Sequence, residues 1–300
     1  MTHPGIEMVR SLLEGSGFNS GTIVERRAAM EQTLASSPPP VGVEVRPDVV
    51  GGRPAEWITP HGGSTDAVVL YLHGGGYCIG SLGTHRDLAS RLAVAAGTAV
   101  VTLDYRLAPE HPFPGAVDDA CAAYADLLDR GVDHSSVAVA GDSAGGGLAV
   151  ASVLALGPRG LPSPAAVACL SPWADLTQSA ASYRHQGEAD PIVTRAGLDE
   201  MAAAYLAGAD PHDPLASPLF SDHLGDLPPV LVEVGAHEVL LDDALGLVER
   251  IRAAGGTATV TVWPELVHVF QAFPSTLVPE SDQSIAAIAA FLADHLAAAG

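Results

Sequence analysis

The sequence contains no lysine, and its 300 residues include only 3 cysteines and 5% aromatic residues. The 14 residues counted as Lys or Arg are therefore all arginines. Because the sequence has 35 acidic residues, its formal net charge is −21. Such an acidic surface repels nucleic acid phosphates and anionic lipids, so neither class of partner is expected. The acidity is expected to serve solubility and to disfavour strongly anionic substrates, although a salt-adapted protein would have the same composition.

Cys78, Cys121 and Cys169 lie far apart in apolar runs, and none has a Cys or His partner at zinc-ligand spacing. Buried thiols are therefore expected, and neither a metal site nor a disulfide is. The chain also lacks any run of roughly 18–20 apolar residues, the length that spans a bilayer. Residues 1–15 lack the basic start and apolar run of a secretory signal, which favours a soluble, cytoplasmic protein.

Short apolar runs rich in valine alternate with helical patterns along most of the chain. The clearest predicted strands are Ala67–Leu72, Ala99–Leu103, Val137–Ala140, Ala166–Leu170, Val230–Val234 and Thr259–Trp263. The predicted helices are Arg86–Ala96, Ala116–Arg130, Ala144–Leu156, Asp242–Ala254 and Ser281–Ala298. This alternation predicts an α/β fold with a mostly parallel central sheet and right-handed crossovers.

Two segments do not follow the alternation. Residues 1–40 precede it and end at the stiff break Ser36–Pro40, whereas residues 174–225 interrupt it with Pro, Asp and Gly. Ligands of an open α/β sheet bind beyond the carboxyl ends of its strands, and an insertion after a strand can cover that region. We therefore predict that both segments form a helical cap, and that residues 41–173 and 226–300 form the catalytic domain.

The motif Gly141-Asp142-Ser143-Ala144-Gly145 follows a predicted strand and opens a predicted helix. This is G-x-S-x-G in a strand–turn–helix setting, where a tight turn presents the serine hydroxyl as a nucleophile. The small neighbours are needed because strand and helix backbones nearly touch. A glycine-rich turn with an incidental serine is the simpler alternative, and the setting disfavours it.

A second motif, His73-Gly74-Gly75-Gly76-Tyr77, follows the first predicted strand. Acyl transfer produces an oxyanion that needs preorganised N–H donors, and consecutive glycines can turn their amides toward a substrate. The expected donors are the amides of Gly74, Gly75 and Ala144. A loop that requires positive φ would explain one or two glycines but not three behind a histidine, and His73 is expected to fix the loop.

A serine nucleophile needs a general base that a carboxylate orients, and in this setting the chain order is serine, acid, histidine. Of the 12 histidines, His268 follows the last predicted strand and is the predicted base. His237 is its competitor, but no suitable acid lies between it and the preceding strand. Glu238 is nearest to the end of Val230–Val234 and is the predicted acid, with Asp242 as the alternative.

Together these motifs resemble the bacterial hormone-sensitive-lipase-like esterases of the α/β-hydrolase fold. The resemblance runs from about residue 66 to the C-terminus and includes three further stretches: Asp104–Pro114, Ser171–Leu176 and His268–Phe270. The acid loop of the family usually reads Asp-Pro-Leu-x-Asp, whereas this chain has Glu238-Val239-Leu240-Leu241-Asp242, so glutamate replaces aspartate. This variant is similar to a subgroup of acetyl-ester hydrolases, heroin-esterase-like enzymes and monoterpene lactone hydrolases.

The resemblance implies a serine carboxylesterase for short-chain acyl esters, with a cap that shapes the pocket and with no metal or organic cofactor. Candidate pocket residues, for which core packing is the alternative role, are Tyr77, Trp173, Ile192, Met201, Tyr205, Val239 and Leu240. A lactonase or an amidase would use the same triad, whereas a non-catalytic small-molecule receptor of this fold typically lacks the histidine. A homodimer is expected by analogy alone.

Overall fold

The computed structural model describes residues 3–13, 21–35, 41–187 and 189–296, which are organised around one 8-stranded sheet. The strands are β1 (Val43–Val50), β2 (Arg53–Pro60), β3 (Ser64–Leu72), β4 (Thr98–Leu103), β5 (Val137–Asp142), β6 (Ala166–Leu170), β7 (Val230–Gly235) and β8 (Ala258–Trp263). Their spatial order is β1-β2-β4-β3-β5-β6-β7-β8. β3 to β8 pair in parallel, which confirms the predicted mostly parallel sheet. The predicted break at Ser36–Pro40 lies outside the described residues.

Helices cover both faces of this sheet. In chain order, the helices of the described residues are α1 (Pro4–Leu13), α2 (Ile23–Leu34), α3 (Leu82–Ala96), α4 (Gly115–Asp129), α5 (Ala144–Leu154), α6 (Ser182–His185), α7 (Arg195–Leu206), α8 (Leu241–Ala253) and α9 (Glu280–His295). Apolar residues of α3 and α9 pack on one face, and those of α4, α5 and α8 pack on the other. Every residue of β4 to β7 is buried as a result, as expected for parallel strands covered on both sides.

The hairpin of β1 and β2 is the part of the sheet that the sequence pattern did not predict. β1 pairs antiparallel with β2, and β2 pairs antiparallel with β4. β1 is an edge strand in which Glu44 and Arg46 alternate with valines, and it contains Pro47. Proline cannot donate to a ladder hydrogen bond, so it argues against a central strand but is tolerated at an edge.

Helix α3 begins one turn before the predicted Arg86. The side chain of Ser81 accepts a hydrogen bond from the amide of Thr84 at 3.2 Å, and the hydroxyl of Thr84 accepts one from the amide of Ser81 at 2.9 Å. This reciprocal capping box satisfies two amides that lack partners at a helix start, which places the first turn at Leu82. The other predicted helices agree with the structure to within a turn; the predicted end at Ala298 lies outside the described residues.

The two segments predicted as a cap contact each other. Arg10 of α1 donates to the carbonyl oxygen of Ala189 at 3.0 Å, and Arg26 of α2 forms an ion pair of 2.5 Å with Glu200 of α7. A shared cap requires contacts of this kind. The division into cap and catalytic domain remains a proposal.

Two further expectations concern membranes and thiols. In the part of the chain that the structure describes, no helix is both long and apolar enough to cross a membrane. Cys78, Cys121 and Cys169 are buried free thiols, as their apolar surroundings predicted. Burial raises the pKa of Cys78 to about 12 and that of Cys121 to about 11, so neither is a reactive thiolate at neutral pH.

Candidate active site

Ser143 occupies the sharp turn between β5 and α5. Its φ of 55° and ψ of −122° lie in a region that residues other than glycine rarely adopt. The neighbouring glycines are needed for space, because a Cβ on Gly145 would lie 2.0 Å from the carbonyl oxygen of Leu72. A Cβ on Gly141 would lie 2.4 Å from the carbonyl oxygen of Gly145. This close approach of strand and helix is the geometry that G-x-S-x-G predicts for a nucleophilic serine.

Backbone hydrogen bonds to the end of β6 hold this turn. The amide of Ser143 donates to the carbonyl oxygen of Leu170 at 2.8 Å, and the carbonyl oxygen of Ser143 accepts from the amide of Trp173 at 2.9 Å. Only 7% of the Ser143 surface is exposed. The serine is therefore held rigidly at the carboxyl edge of the sheet, where α/β proteins place their sites.

Glu238 and His268 form a close buried pair. Glu238 follows β7 and His268 follows β8, and Nδ1 of His268 lies 2.7 Å from Oε2 of Glu238. Oε1 of Glu238 accepts hydrogen bonds from the amide of Gly235 at 2.6 Å and from the hydroxyl of Ser171 at 2.9 Å. The carboxylate is thus immobilised, and it holds the Nδ1 proton of the imidazole. This leaves Nε2 as the atom that can take a proton from another group.

The two competing residues have other contacts. Asp242 lies in the first turn of α8, and its Oδ2 accepts a hydrogen bond from the amide of Ser182 at 2.8 Å. The amide of His237 donates to the carbonyl oxygen of Leu266 at 2.9 Å, and its ring is half-buried. Asp242 therefore connects the acid loop, residues 235–243, to the insertion after β6, residues 174–225. Glu238, in contrast, contacts the imidazole of His268.

The electrostatic surroundings of His268 make it a stronger base. Burial alone would lower the pKa of His268, but the hydrogen bond and the charge of Glu238 outweigh burial and hold that pKa above its ordinary value. The carboxylates of Asp190 and Asp142 act in the same direction. Asp142 directly precedes Ser143, so the charge of the serine turn also favours a protonated His268. A general base with a raised pKa accepts a proton more readily.

Asp142 connects the serine turn to the glycine-rich loop, residues 73–80. Its Oδ1 accepts hydrogen bonds from the hydroxyl of Tyr71 at 2.7 Å and from the amide of Gly74 at 3.1 Å, and its Oδ2 lies 3.4 Å from Nε2 of His85. The amide of Gly74 already has a carboxylate acceptor, which argues against its predicted role as an oxyanion donor. The sequence could not reveal this acceptor, because only the pairing of β3 with β5 brings the two residues together.

Other amides of the site remain available. Gly75 and Gly76 have φ of +113° and +60°, and a Cβ on Gly75 would lie 2.2 Å from the carbonyl oxygen of Ile79. Among the described residues, no backbone acceptor takes a hydrogen bond from either amide. Ala144 is the first residue of α5, where amides have no acceptor within the helix. These three amides can therefore donate to a ligand.

The residues predicted to line a pocket are largely buried. Tyr77 stacks on Tyr205 with 3.8 Å between the ring centroids, and its ring lies 6.1 Å from that of Trp173. Met201 lies directly against the glycine-rich loop, since a Cβ on Gly76 would be 2.1 Å from its Sδ. The remaining candidates are in the acid loop or the insertion: Val239, Leu240 and Ile192. These contacts suit packing as well as pocket lining, so the lining role stays a prediction.

Two residues that sequence reasoning did not assign hold the acid loop. Besides its bond to Glu238, Ser171 accepts a hydrogen bond from the amide of Val269 at 3.1 Å. Asp190 accepts one from the amide of Val239 at 3.2 Å. Ser171 belongs to the stretch Ser171–Leu176, on which the family resemblance partly rests, so the sequence did contain a signal for its importance. No motif in the sequence pointed to Asp190. No cluster of three or more His, Cys, Asp or Glu side chains that could hold a metal lies within the described ranges.

A strained serine turn, a buried carboxylate–histidine pair and free loop amides at the carboxyl edge of a mostly parallel sheet define an α/β hydrolase. The family model of the alpha/beta hydrolase fold matches residues 69–272. The chain is 44% identical to an acetyl-hydrolase of Streptomyces hygroscopicus, with 97% of both chains covered. It is 35% identical to an esterase of Acinetobacter venetianus, which covers 88% of this chain and 87% of the relative.

The likeness extends to solved structures. An esterase from the bacterial hormone-sensitive lipase family superposes with a TM-score of 0.94 at 45% identity, covering 99% of this chain and 100% of that chain. The chain therefore belongs to the bacterial hormone-sensitive lipase family of esterases, as its motifs implied. Its class of activity is carboxylic ester hydrolysis by a serine enzyme.

Proposed function

We propose that this chain hydrolyses short-chain acyl esters, acetyl esters among them, through a Ser143–His268–Glu238 triad and an acyl-enzyme. The observation that carries the proposal is the buried 2.7 Å contact between Nδ1 of His268 and Oε2 of Glu238. A carboxylate in this position fixes the imidazole tautomer and stabilises the imidazolium that forms during reaction. The similarity to an acetyl-hydrolase supports the preference for small acyl groups.

In the acylation step, Nε2 of His268 takes the hydroxyl proton of Ser143 while the serine oxygen attacks the ester carbonyl carbon. The carbon–oxygen bond to the alcohol then breaks, and the alcohol leaves with the proton from His268. In the second step a water molecule gives a proton to the same imidazole and attacks the acyl carbon, which releases the carboxylic acid and restores the serine. Glu238 does not take up the serine proton; it orients the imidazole and stabilises its charged form.

The negative charge on the carbonyl oxygen needs donors in place before reaction. We assign this role to the amides of Gly75, Gly76 and Ala144, with Gly76 replacing the predicted Gly74. Support comes from the hydrogen bond that already occupies Gly74 and from the position of Ala144 at the start of α5. Losing one such donor typically costs on the order of 10²–10³ in rate.

The pKa of His268 sets the expected pH dependence. The imidazole must be neutral to accept the serine proton, and Glu238 holds its pKa above the ordinary value. We therefore expect kcat/KM to be constant above this raised pKa and to fall as the pH falls through it.

The test compares two buried serines of the same region. Ser143→Ala should lower kcat for p-nitrophenyl acetate by roughly 10⁴–10⁶-fold and abolish labelling by a fluorophosphonate probe. Ser152→Ala removes another buried hydroxyl, which lies in α5 and donates to the carbonyl oxygen of Ala149. This control should retain both ester hydrolysis and labelling. Turnover that persists in pure Ser143→Ala enzyme would refute the assignment, and an unlabelled wild type would favour a receptor.

The substrate class needs a second measurement. A series of nitrophenyl esters from acetyl to palmitoyl, measured beside lactones and an anilide, should give the highest kcat/KM for the shortest acyl groups. Higher values for lactones or for the anilide would assign a lactonase or an amidase with the same triad.

A further inference from the structure

A carboxylate of the insertion after β6 contacts the acid loop. Asp190 is 4% exposed, and its Oδ1 accepts hydrogen bonds from the amides of Ile192 at 2.9 Å and Val193 at 3.0 Å. Its Oδ2 accepts a hydrogen bond from the amide of Val239 at 3.2 Å. Val239 directly follows Glu238. One side chain therefore closes a turn in the insertion and also holds the residue next to the proposed catalytic acid.

The insertion holds Val239 from both sides of its backbone. Asp190 accepts a hydrogen bond from the amide of Val239, and the hydroxyl of Ser182 donates one to the carbonyl oxygen of Val239 at 2.6 Å. The turn of Asp190 is itself tied to α1, because Arg10 donates to the carbonyl oxygen of Ala189. With both polar groups of Val239 bonded to the insertion, the path of the chain beyond Glu238 depends on that segment.

Asp190 also brings a negative charge close to the Glu238–His268 pair, because it bonds the amide of the residue next to Glu238. Its carboxylate is one of the groups that raise the pKa of His268. The groups facing it are Glu238 from the acid loop, His268 from the loop after β8, and Arg10 from α1, whose guanidinium bonds the preceding residue. Burial raises the pKa of Asp190 to about 6, and Glu238 adds to this, while His268 and the amides of Val193 and Ile192 oppose it. Asp190 is therefore ionised at neutral pH.

We propose that Asp190 is a positioning residue, which holds the amide of Val239 so that Glu238 is aligned with His268, and whose negative charge strengthens the base. This inference rests on the proposed function, since it presumes that His268 acts on Ser143. In this arrangement the insertion contributes to the alignment of the triad as well as to the covering of the site.

A purely local role is the alternative, because aspartates commonly close turns by accepting amide hydrogen bonds. Asp213 in the same insertion provides the comparison: its Oδ1 accepts a hydrogen bond from the amide of Leu215 at 2.8 Å. Its turn resembles that of Asp190, but its carboxylate belongs to a turn outside the acid loop. Asp190→Asn and Asp213→Asn therefore remove the same charge from two aspartates that each close a turn, one buried and one half-buried.

In Asp190→Asn we expect kcat for p-nitrophenyl acetate to fall on the order of 10- to 100-fold with little change in KM, because a misaligned base slows chemistry more than binding. The acid limb of the kcat/KM profile should move to lower pH, because a negative charge that raises the pKa of His268 is lost. Asp213→Asn should match the wild type in kcat and in the position of the limb.

The proposal requires that Asp190→Asn show both changes, the fall in kcat and the shift of the acid limb. A rise in KM alone, or a loss of kcat with an unmoved acid limb, would show a merely structural role and overturn the proposal, as would a shifted limb with unchanged kcat. Should Asp190→Asn fail to fold by circular dichroism, Asp190→Glu takes its place, because it keeps the negative charge but displaces the carboxylate from the amide of Val239. For this second variant we expect reduced kcat with an unmoved limb, and unchanged kcat would overturn the proposal. An active Ser143→Ala enzyme would instead refute the triad.

Discussion

Two buried histidines follow strands of the same sheet, and their pKa values move in opposite directions. Nδ1 of His73, after β3, lies 2.7 Å from the carbonyl oxygen of Gly74, and burial together with His85 lowers the pKa of His73 to about 3. Nδ1 of His268 lies at the same 2.7 Å from a carboxylate oxygen of Glu238, and its pKa is raised. Since burial and distance are alike, the charge of the partner decides which histidine can act as a base.

The largest expected effect separates these two histidines directly. His268→Ala should lower kcat roughly 10⁴–10⁶-fold and abolish fluorophosphonate labelling, and it should also cost stability, because the buried carboxylate of Glu238 loses a hydrogen-bond partner. His73→Ala removes a ring stacked on Tyr105 at 4.3 Å and should cost about 1–3 kcal/mol of folding free energy, yet fluorophosphonate should still label its serine. Thermal melts and labelling measure both outcomes. Equal loss of labelling in the two variants would break the comparison.

The second effect tests the negative charge of Glu238, the partner of His268. Glu238→Gln should lower kcat by roughly 10⁴-fold, as expected when the orienting carboxylate becomes an amide. The acid limb of its pH profile should move to lower pH, because Glu238 no longer raises the pKa of His268. Asp242→Asn, which alters a contact to Ser182, should retain most activity. Severe impairment of Asp242→Asn alone would identify Asp242 as the acid.

The third effect concerns the carboxylate on the His73 side. Burial alone would raise the pKa of Asp142, but the charge and hydrogen bond of His85, with the bond from Tyr71, hold it below its ordinary value. Such a carboxylate contributes stability above its unfolded pKa of about 3.9, and this contribution is lost as the pH falls through the lower folded value. Asp142→Asn should therefore be less stable by about 1–3 kcal/mol at neutral pH. Denaturant titrations at several pH values measure the difference in unfolding free energy between the wild type and Asp142→Asn. A difference that does not become smaller as the pH falls would contradict this prediction.

The smallest effect concerns a buried carboxylate without a histidine. Glu233 of β7 accepts hydrogen bonds from Trp263 and Ser284, and burial raises its pKa. A raised carboxyl pKa favours folding at low pH, and this advantage is lost as the pH rises through the folded value. Glu233→Gln should therefore gain about 1 kcal/mol of stability over the wild type at neutral pH, with no gain in acid and unchanged kcat. Melting temperatures that differ equally at all pH values would contradict the titration.

Local pattern was a good guide wherever a residue's role follows from its neighbours in sequence. The parallel strands were recognisable because burial on both faces demands continuous apolar runs. The β1–β2 hairpin was not, since its alternating charges and Pro47 are tolerated only at an edge that the sequence does not display. Met201 and Tyr205 were named from the resemblance, and the structure shows that their neighbours are Gly76 and Tyr77.

The sequence by itself determined the parallel α/β sheet, the strained turn at Ser143 and the strand ends at which Glu238 and His268 lie, because each depends on short-range pattern and backbone sterics. Only the tertiary structure decided which backbone amide donates a hydrogen bond to Asp142 and which segment forms hydrogen bonds with Val239. Those hydrogen bonds join residues far apart in the chain, and their partners are selected by strand order and by the packing of the insertion. Hydrogen bonds reach only about 3 Å, so no sequence spacing can predict them until the fold has brought the atoms together.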